Sequence, residues 1–127
     1  MHFTIEKGQG VLRAELFGRS SAQELPQFVG ALNDSVRSTG MKRVLVWVRN
    51  SRPIFKVDQA GLPEQFRLLA GDPEYRVALL ADSEELRSSH EYIEMLARQQ
   101  GAALRAFRDE GAALAWLLGD AQSQEKR

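Results

Sequence analysis

The stretch RVLVWV, residues 43–48, governs how the rest of this chain is read. Five apolar residues follow Arg43 without interruption, and three of them are valine. In an extended chain successive side chains alternate between faces, so this run is apolar on both. β-branched residues favour that pleated geometry over a helix. The segment therefore reads as an interior strand covered on both sides, as strands of a parallel sheet are. RVALLA, residues 76–81, has the same character and reads as a second one.

Outward from these strands the apolar period changes in step. Upstream, Leu25, Phe28, Val29, Leu32 and Val36 form one helical stripe within residues 21–39, closed by Gly40. Ser21 and Glu24 have the form of a capping box, whereas Pro26 points to a start nearer Glu24 or Leu25. Earlier still, Phe3 and Ile5 alternate with polar residues, Gly8-Gln9-Gly10 supplies a turn, and VLRAELF at 11–17 alternates again. This is a hairpin signal, with Leu12, Ala14 and Leu16 on one face of its second strand. Between the two buried strands, Leu62, Phe66, Leu69 and Ala70 give a short helix facing inward, ended by Gly71-Asp72-Pro73.

Downstream, Asp82 and Glu85 frame a capping box for a helix running to about Gln100. Its inward stripe is Leu86, Ile93, Leu96 and Ala97, and its outer side carries the pairs Arg87–Glu91 and Glu94–Arg98. ALRAF at 103–107 reads as a last strand at an edge, and Asp109 caps a final helix through AALAWLL, stopped by Gly119. The order β-β-α-β-α-β-α-β-α predicts an α/β fold: a single-layer, mixed, mostly parallel five-stranded sheet with helices on both faces. The pattern predicts one domain over residues 1–119 and a flexible tail at 120–127.

Composition narrows the function. Seventeen basic residues balance seventeen acidic ones, so no global field steers the protein to nucleic acid or anionic lipid. The absence of cysteine removes disulfides, thiolate nucleophiles and sulfur metal sites. MHFTIEKGQG lacks a signal-peptide pattern and no apolar run is long enough to span a bilayer, so a cytoplasmic location is expected. His2 and His90 are the only histidines. His90 shares the inward stripe of its helix and reads as a buried side chain with one hydrogen-bond partner rather than a ligand. SHEYIE lacks the second histidine of a zinc-protease helix, and no metal or cofactor is expected.

Nucleophilic catalysis has little support either. Ser20, Ser21, Ser51 and Ser83 sit where loops enter helices, where serine is favoured as a cap, and none lies in Gly-x-Ser-x-Gly. Gly8-Gln9-Gly10 precedes a strand rather than a helix, so it is a turn and not a phosphate cradle. Trp47 and Trp116 read as core. The expectation is a protein that is not an enzyme.

Ligands of open parallel sheets meet the loops at the carboxyl ends of the strands. Here those loops carry Arg19, Ser20 and Ser21, then Arg49, Asn50, Ser51, Arg52 and Lys56, then Asp82 and Ser83, and finally Arg108. Cations beside helix starts suit an anionic group or an acidic partner surface, although arginines are also ordinary in solvated loops.

Residues 76–119 carry three further features: RVALLAD leading into a helix, a short strand ending in Ala106-Phe107-Arg108-Asp109, and the closing Ala113-Leu114-Ala115-Trp116-Leu117. In these the chain resembles the SpoIIAA-like branch of STAS/SEC14-type bacterial domains, and the element order is similar over nearly its whole length. Anti-sigma-factor antagonists of the STAS family carry Asp-Ser-Ser-Gly-Leu after the third strand, with a serine phosphorylated by a partner kinase. The similar frame here is Asp58-Gln59-Ala60-Gly61-Leu62, in which both serines are replaced. Gln59 and Ala60 offer no hydroxyl, so a phosphate switch at this place is not expected. Asp58 on its own is also explained as a helix cap.

The resemblance implies a non-enzymatic regulatory or protein-interaction domain without the usual phosphoserine. Its expected surface is formed by Arg49, Asn50, Ser51, Arg52, Phe55, Asp58 and Gln59, with the helix of Leu62 and Phe66 beside it. The SEC14-like side implies an alternative, a lipid or small apolar acid held between helix and sheet. Arg49 or Arg52 would then hold the acid head, Phe55, Leu62 and Phe66 would line the tail, and peripheral membrane contact would follow. Tyr92 and Met95 lie off the inward stripe of their helix, which leaves a homodimer through that helix open.

Overall fold

A computed structural model describes residues 1–54 and 62–119, apart from the side chain of Ala22. The elements are β1 (His2–Gly8), β2 (Val11–Phe17), a 3-10 turn (Ala22–Glu24), α1 (Leu25–Thr39), β3 (Arg43–Arg49), α2 (Leu62–Ala70), β4 (Arg76–Ala81), α3 (Glu84–Gln99), β5 (Leu104–Ala106) and α4 (Glu110–Leu118). The five strands form one sheet in the order β1-β2-β3-β4-β5. The β1–β2 pair is antiparallel and the other three pairs are parallel. The α/β architecture expected from the sequence is the one observed.

Gln9 and Gly10 make the two-residue hairpin loop, both with positive φ (57° and 83°), while Gly8 pairs with Val11. A two-residue turn with both φ positive matches the twist of the strands it joins. From β2 onward the sheet grows in one direction only. Right-handed crossovers that always advance the same way place their helices on the same face. Accordingly α1, α2 and α3 pack together over one side, where Leu16, Val46 and Leu79 meet Phe28, Phe66 and Ile93. The last helix, α4, has no strand to return to and covers the other side, where Val11, Leu45 and Leu80 meet Ala113 and Leu117. The valines of RVLVWV thus enter one core and Leu45 and Trp47 the other, which is why the run had to be apolar throughout.

Trp47 and Trp116 are half-buried at the margin of the smaller core. Trp47 Nε1 donates to Glu110 (2.9 Å), and the Arg49 guanidinium lies 4.2 Å from its ring centroid. Arg76 covers Trp116 in the same manner at 5.2 Å.

Local details depart from the sequence reading where tertiary contacts compete. The Ser21–Glu24 pattern becomes a 3-10 turn: the Glu24 carboxylate accepts from the amides of Ser20 (2.9 Å) and Ser21 (3.3 Å), and α1 starts after it with Pro26 in its first turn. Those hydrogen bonds, led by the one from Ser20, hold the Glu24 carboxyl below its ordinary pKa. The cap of α3 is Ser83, whose hydroxyl accepts from Leu86 N (3.2 Å), and not Asp82. Asp82 is drawn away by the amide of Asn50 (2.9 Å). Arg87 binds Glu84 rather than Glu91, whereas the Glu94–Arg98 pair is present. Ala70 is exposed at the end of α2, and its place in the inward set is taken by Gln65. The last strand is shorter than ALRAF. As expected, Asp109 caps α4, accepting from Ala112 N at 2.8 Å. Replacing it by alanine is expected to cost about 1 kcal/mol in urea unfolding, the usual value for a lost cap; a change below a few tenths would show that the cap is not holding α4.

Candidate functional site

The carboxyl ends of β2, β3 and β4 meet at one rim of the sheet, and their loops are tied to one another. Gly18 N donates to Arg49 O (3.2 Å), and Arg52 N donates to Arg19 O (2.9 Å). Arg19 N donates to Ser51 Oγ (3.1 Å), which in turn donates to Arg49 O (2.9 Å). The Arg19 guanidinium donates to the carbonyl of Arg52. Asp82 reaches across from the next loop to the Asn50 amide, at a residue whose φ of 48° is one asparagine tolerates. Three loops are thereby fixed around an open cleft of about 540 Å3 lined by Gly18, Arg19, Ser20, Asn50, Ser51, Arg52, Asp82 and Ser83.

Several residues expected at this rim are placed there: Ser20, Asn50, Ser51, Arg52, Asp82 and Ser83 all line the cleft. Arg49 does not. It alternates to the α4 side, where Nε pairs with Glu15 (3.2 Å) over Trp47. Arg108 lies 3.7 Å from Glu84 at the start of α3. Lys56, Phe55, Asp58 and Gln59 lie outside the described residues, as does the tail at 120–127.

Beneath the cleft, between the sheet and its three-helix layer, is a second space of about 80 Å3. Its walls are almost entirely hydrocarbon, with Leu16, Phe28, Val48, Leu62 and Ile93 among them. Leu62 therefore faces this space as expected for a pocket residue, while Phe66 is buried in the same core without being part of its wall. Four polar side chains reach it: Arg19, Gln65, Ser89 and His90. Ser89 is 1% exposed, and its hydroxyl accepts from Ile54 N (2.8 Å) and donates to Ile54 O (2.6 Å). Gln65 belongs to a buried network with Asn33 and Tyr75: its amide donates to Asn33 Oδ1 (3.3 Å) and Tyr75 Oη (3.2 Å), and Tyr75 donates to Asn33 (2.7 Å). Burial pushes the Tyr75 hydroxyl pKa up. His90 is 5% exposed, and burial, aided by the positive charges of Arg19 and Arg87, pushes its pKa down to about 4. It is a neutral imidazole at neutral pH.

Arg19, expected in the rim loop after β2, does line the cleft, but it is also buried. It is 3% exposed, its pKa is lowered by burial, and it faces both the cleft and the inner cavity. No local pattern announces this, because its burial comes from the backbone clasp with Ser51 and Arg52, more than thirty residues away. Among the described residues no group of three metal-ligating side chains converges, and no helix is long and apolar enough to cross a membrane.

Comparison of the chain with protein-family models, curated proteins and solved structures gives no match. Met95 is exposed on α3 and Tyr92 is half-buried beside it.

Proposed function

We propose that this chain is a non-catalytic regulatory module of the STAS kind, working in the cytoplasm by binding a protein partner at the rim that carries Ser20, Asn50, Arg52, Asp82 and Ser83. The observation that carries this reading is the bracing of three separate loops into one open polar cleft before any partner arrives. Preorganised loops spare the ordering cost that weakens association, so a rigid polar rim suits recognition. The serine hydroxyls there are already engaged: Ser20 with Glu24, Ser51 with Arg49 O, and Ser83 as the cap of α3. No histidine lines the cleft to act as their base, since His90 lies in the inner cavity. Asp82 is spent on the Asn50 amide. The sequence at 58–62, with no hydroxyl at Gln59 or Ala60, favours constitutive binding over a phosphate switch.

The test is charge reversal on an exposed side chain that does not hold the loops together. Arg52 contributes its backbone to the clasp, and its side chain is exposed. Cross-linked partners of the wild-type chain are expected to be lost with Arg52→Glu and kept with Lys7→Glu, which lies at the hairpin end of the sheet. Equal retention by both variants removes the rim from the interaction, and turnover that copurifies with the protein through Ser20→Ala and Ser83→Ala controls overturns the non-catalytic assignment.

A further inference from the structure

The inner cavity holds a cation with unused hydrogen-bonding capacity. Arg19 is 3% exposed, and among the described residues its Nε and Nη1 have no hydrogen-bond partner. Only Nη2 is engaged, by the carbonyl of Arg52. Glu24, the carboxylate whose charge acts on Arg19, is itself occupied by Ser20 and Ser21. A guanidinium stays protonated in proteins, and burying its charge without an anion is strongly unfavourable. The other polar groups of the cavity cannot meet that need. Ser89, held by Ile54, and Gln65, held by Asn33 and Tyr75, are neutral and supply no counter-charge. His90, neutral and beside Arg19, is left to offer a second contact.

We infer that the cavity between the sheet and α1–α3 is a binding site for a small branched or short-chain monocarboxylic acid, with the carboxylate on the Arg19 guanidinium and the hydrocarbon among Phe28, Val48 and Ile93. A carboxylate beside the guanidinium takes up its unmet N–H capacity in charge-assisted hydrogen bonds, about twice as strong as neutral ones. One anionic head is all the polar wall accommodates, which disfavours phosphate or a dicarboxylate. The hydrocarbon walls then set the rest of the ligand. At about 80 Å3 the space is roughly half that of an engineered apolar cavity that takes benzene. A body of about three or four carbons fits such a volume, and a long acyl chain does not. This inference stands independently of a partner at the rim, though Arg19 is shared by both spaces and would convey occupancy of one to the loops of the other.

The experiment uses the whole chain and isobutyrate, compared with isobutyramide, which has the same shape without the charge. Methyl NMR titration is expected to give saturable shifts at Ile54 and Ile93 with isobutyrate and a midpoint at least roughly 30-fold weaker with isobutyramide, the loss typical of an unmatched buried charge. Arg19→Gln is expected to bring isobutyrate to the amide's affinity. If that variant does not fold, the acid–amide contrast on the wild-type chain decides alone. Equal binding of acid and amide overturns the role of Arg19. Absence of saturable shifts at millimolar isobutyrate overturns the site, and preferential binding of decanoate overturns its size.

Discussion

Replacing Ser89 by alanine is expected to destabilise the fold by about 2–5 kcal/mol, because each orphaned buried backbone group costs about 1–3. The hydroxyl of Ser89 answers both the N–H and the C=O of Ile54, and neither group lies in a sheet ladder that could take over. Both residues are buried, so water does not substitute for the missing hydroxyl. Against a total stability of about 5–15 kcal/mol this is a severe loss for the removal of one oxygen. Ser88→Ala, one position along on the exposed side of α3, is expected to fall within about 0.5 kcal/mol of the parent. Urea unfolding of both variants measures the difference, and amide exchange places it: protection at Ile54 falls first, while Val46 and Leu79 in the sheet keep theirs. A Ser89→Ala loss below about 1 kcal/mol would mean that the Ile54 segment finds other partners.

The second large effect is one of pH. Burial, with Arg19 on the loop after β2 and Arg87 on α3 adding like charge, lowers the His90 pKa from 6.5 to about 4. In the unfolded chain the imidazole takes a proton as pH falls below about 6.5, whereas in the folded chain it does so only near 4. The unfolded state therefore binds more protons throughout that window. Stability is full above about pH 6.5 and declines as pH falls to about 4, by about 3 kcal/mol in all at about 1.4 kcal/mol per pH unit. The carboxyl pKa values of Glu24, Asp72 and Glu110 are lowered as well, so their stabilisation is present above the ordinary carboxylate range and is lost at more acid pH. The His90→Leu variant separates the two contributions: its stability is expected to stay level from about pH 6.5 to 4.5 and to fall only where the carboxylates titrate. Parallel profiles for the variant and the wild type would place the titration elsewhere.

Which features were legible in the sequence follows from how far each depends on distant neighbours. RVLVWV and RVALLA announced themselves because both faces of each strand are buried, and no other environment explains such runs. His90 could be placed inward by its spacing from Leu86 and Ile93 alone. The cap of α3 could not, since Asp82 and Ser83 are both good acceptors and the choice is made by the Asn50 amide from another loop. Gln65 escaped for a similar reason: a polar residue on a helix is buried here only because Asn33 and Tyr75 supply its hydrogen bonds. Arg49 was assigned to the wrong face by treating the end of β3 as loop, although the alternation that sends Val48 inward sends Arg49 outward. Arg19 had no local signature at all, and it is the residue on which the inner cavity depends.

The strand order carries a consequence for how the molecule is made. Every strand lies beside the one synthesised just before it, so none has to wait for, or insert between, later partners. Pairing between sequence neighbours keeps loop closure short, which favours rapid assembly. The hairpin can form as it leaves the ribosome, and β3, β4 and β5 can then be added one at a time while their helices close over the growing layer. What is left open longest is the α4 side, where Val11, Leu45 and Leu80 stay uncovered until the final helix emerges. A truncated or stalled chain would expose that apolar face, and nascent-chain aggregation should originate there.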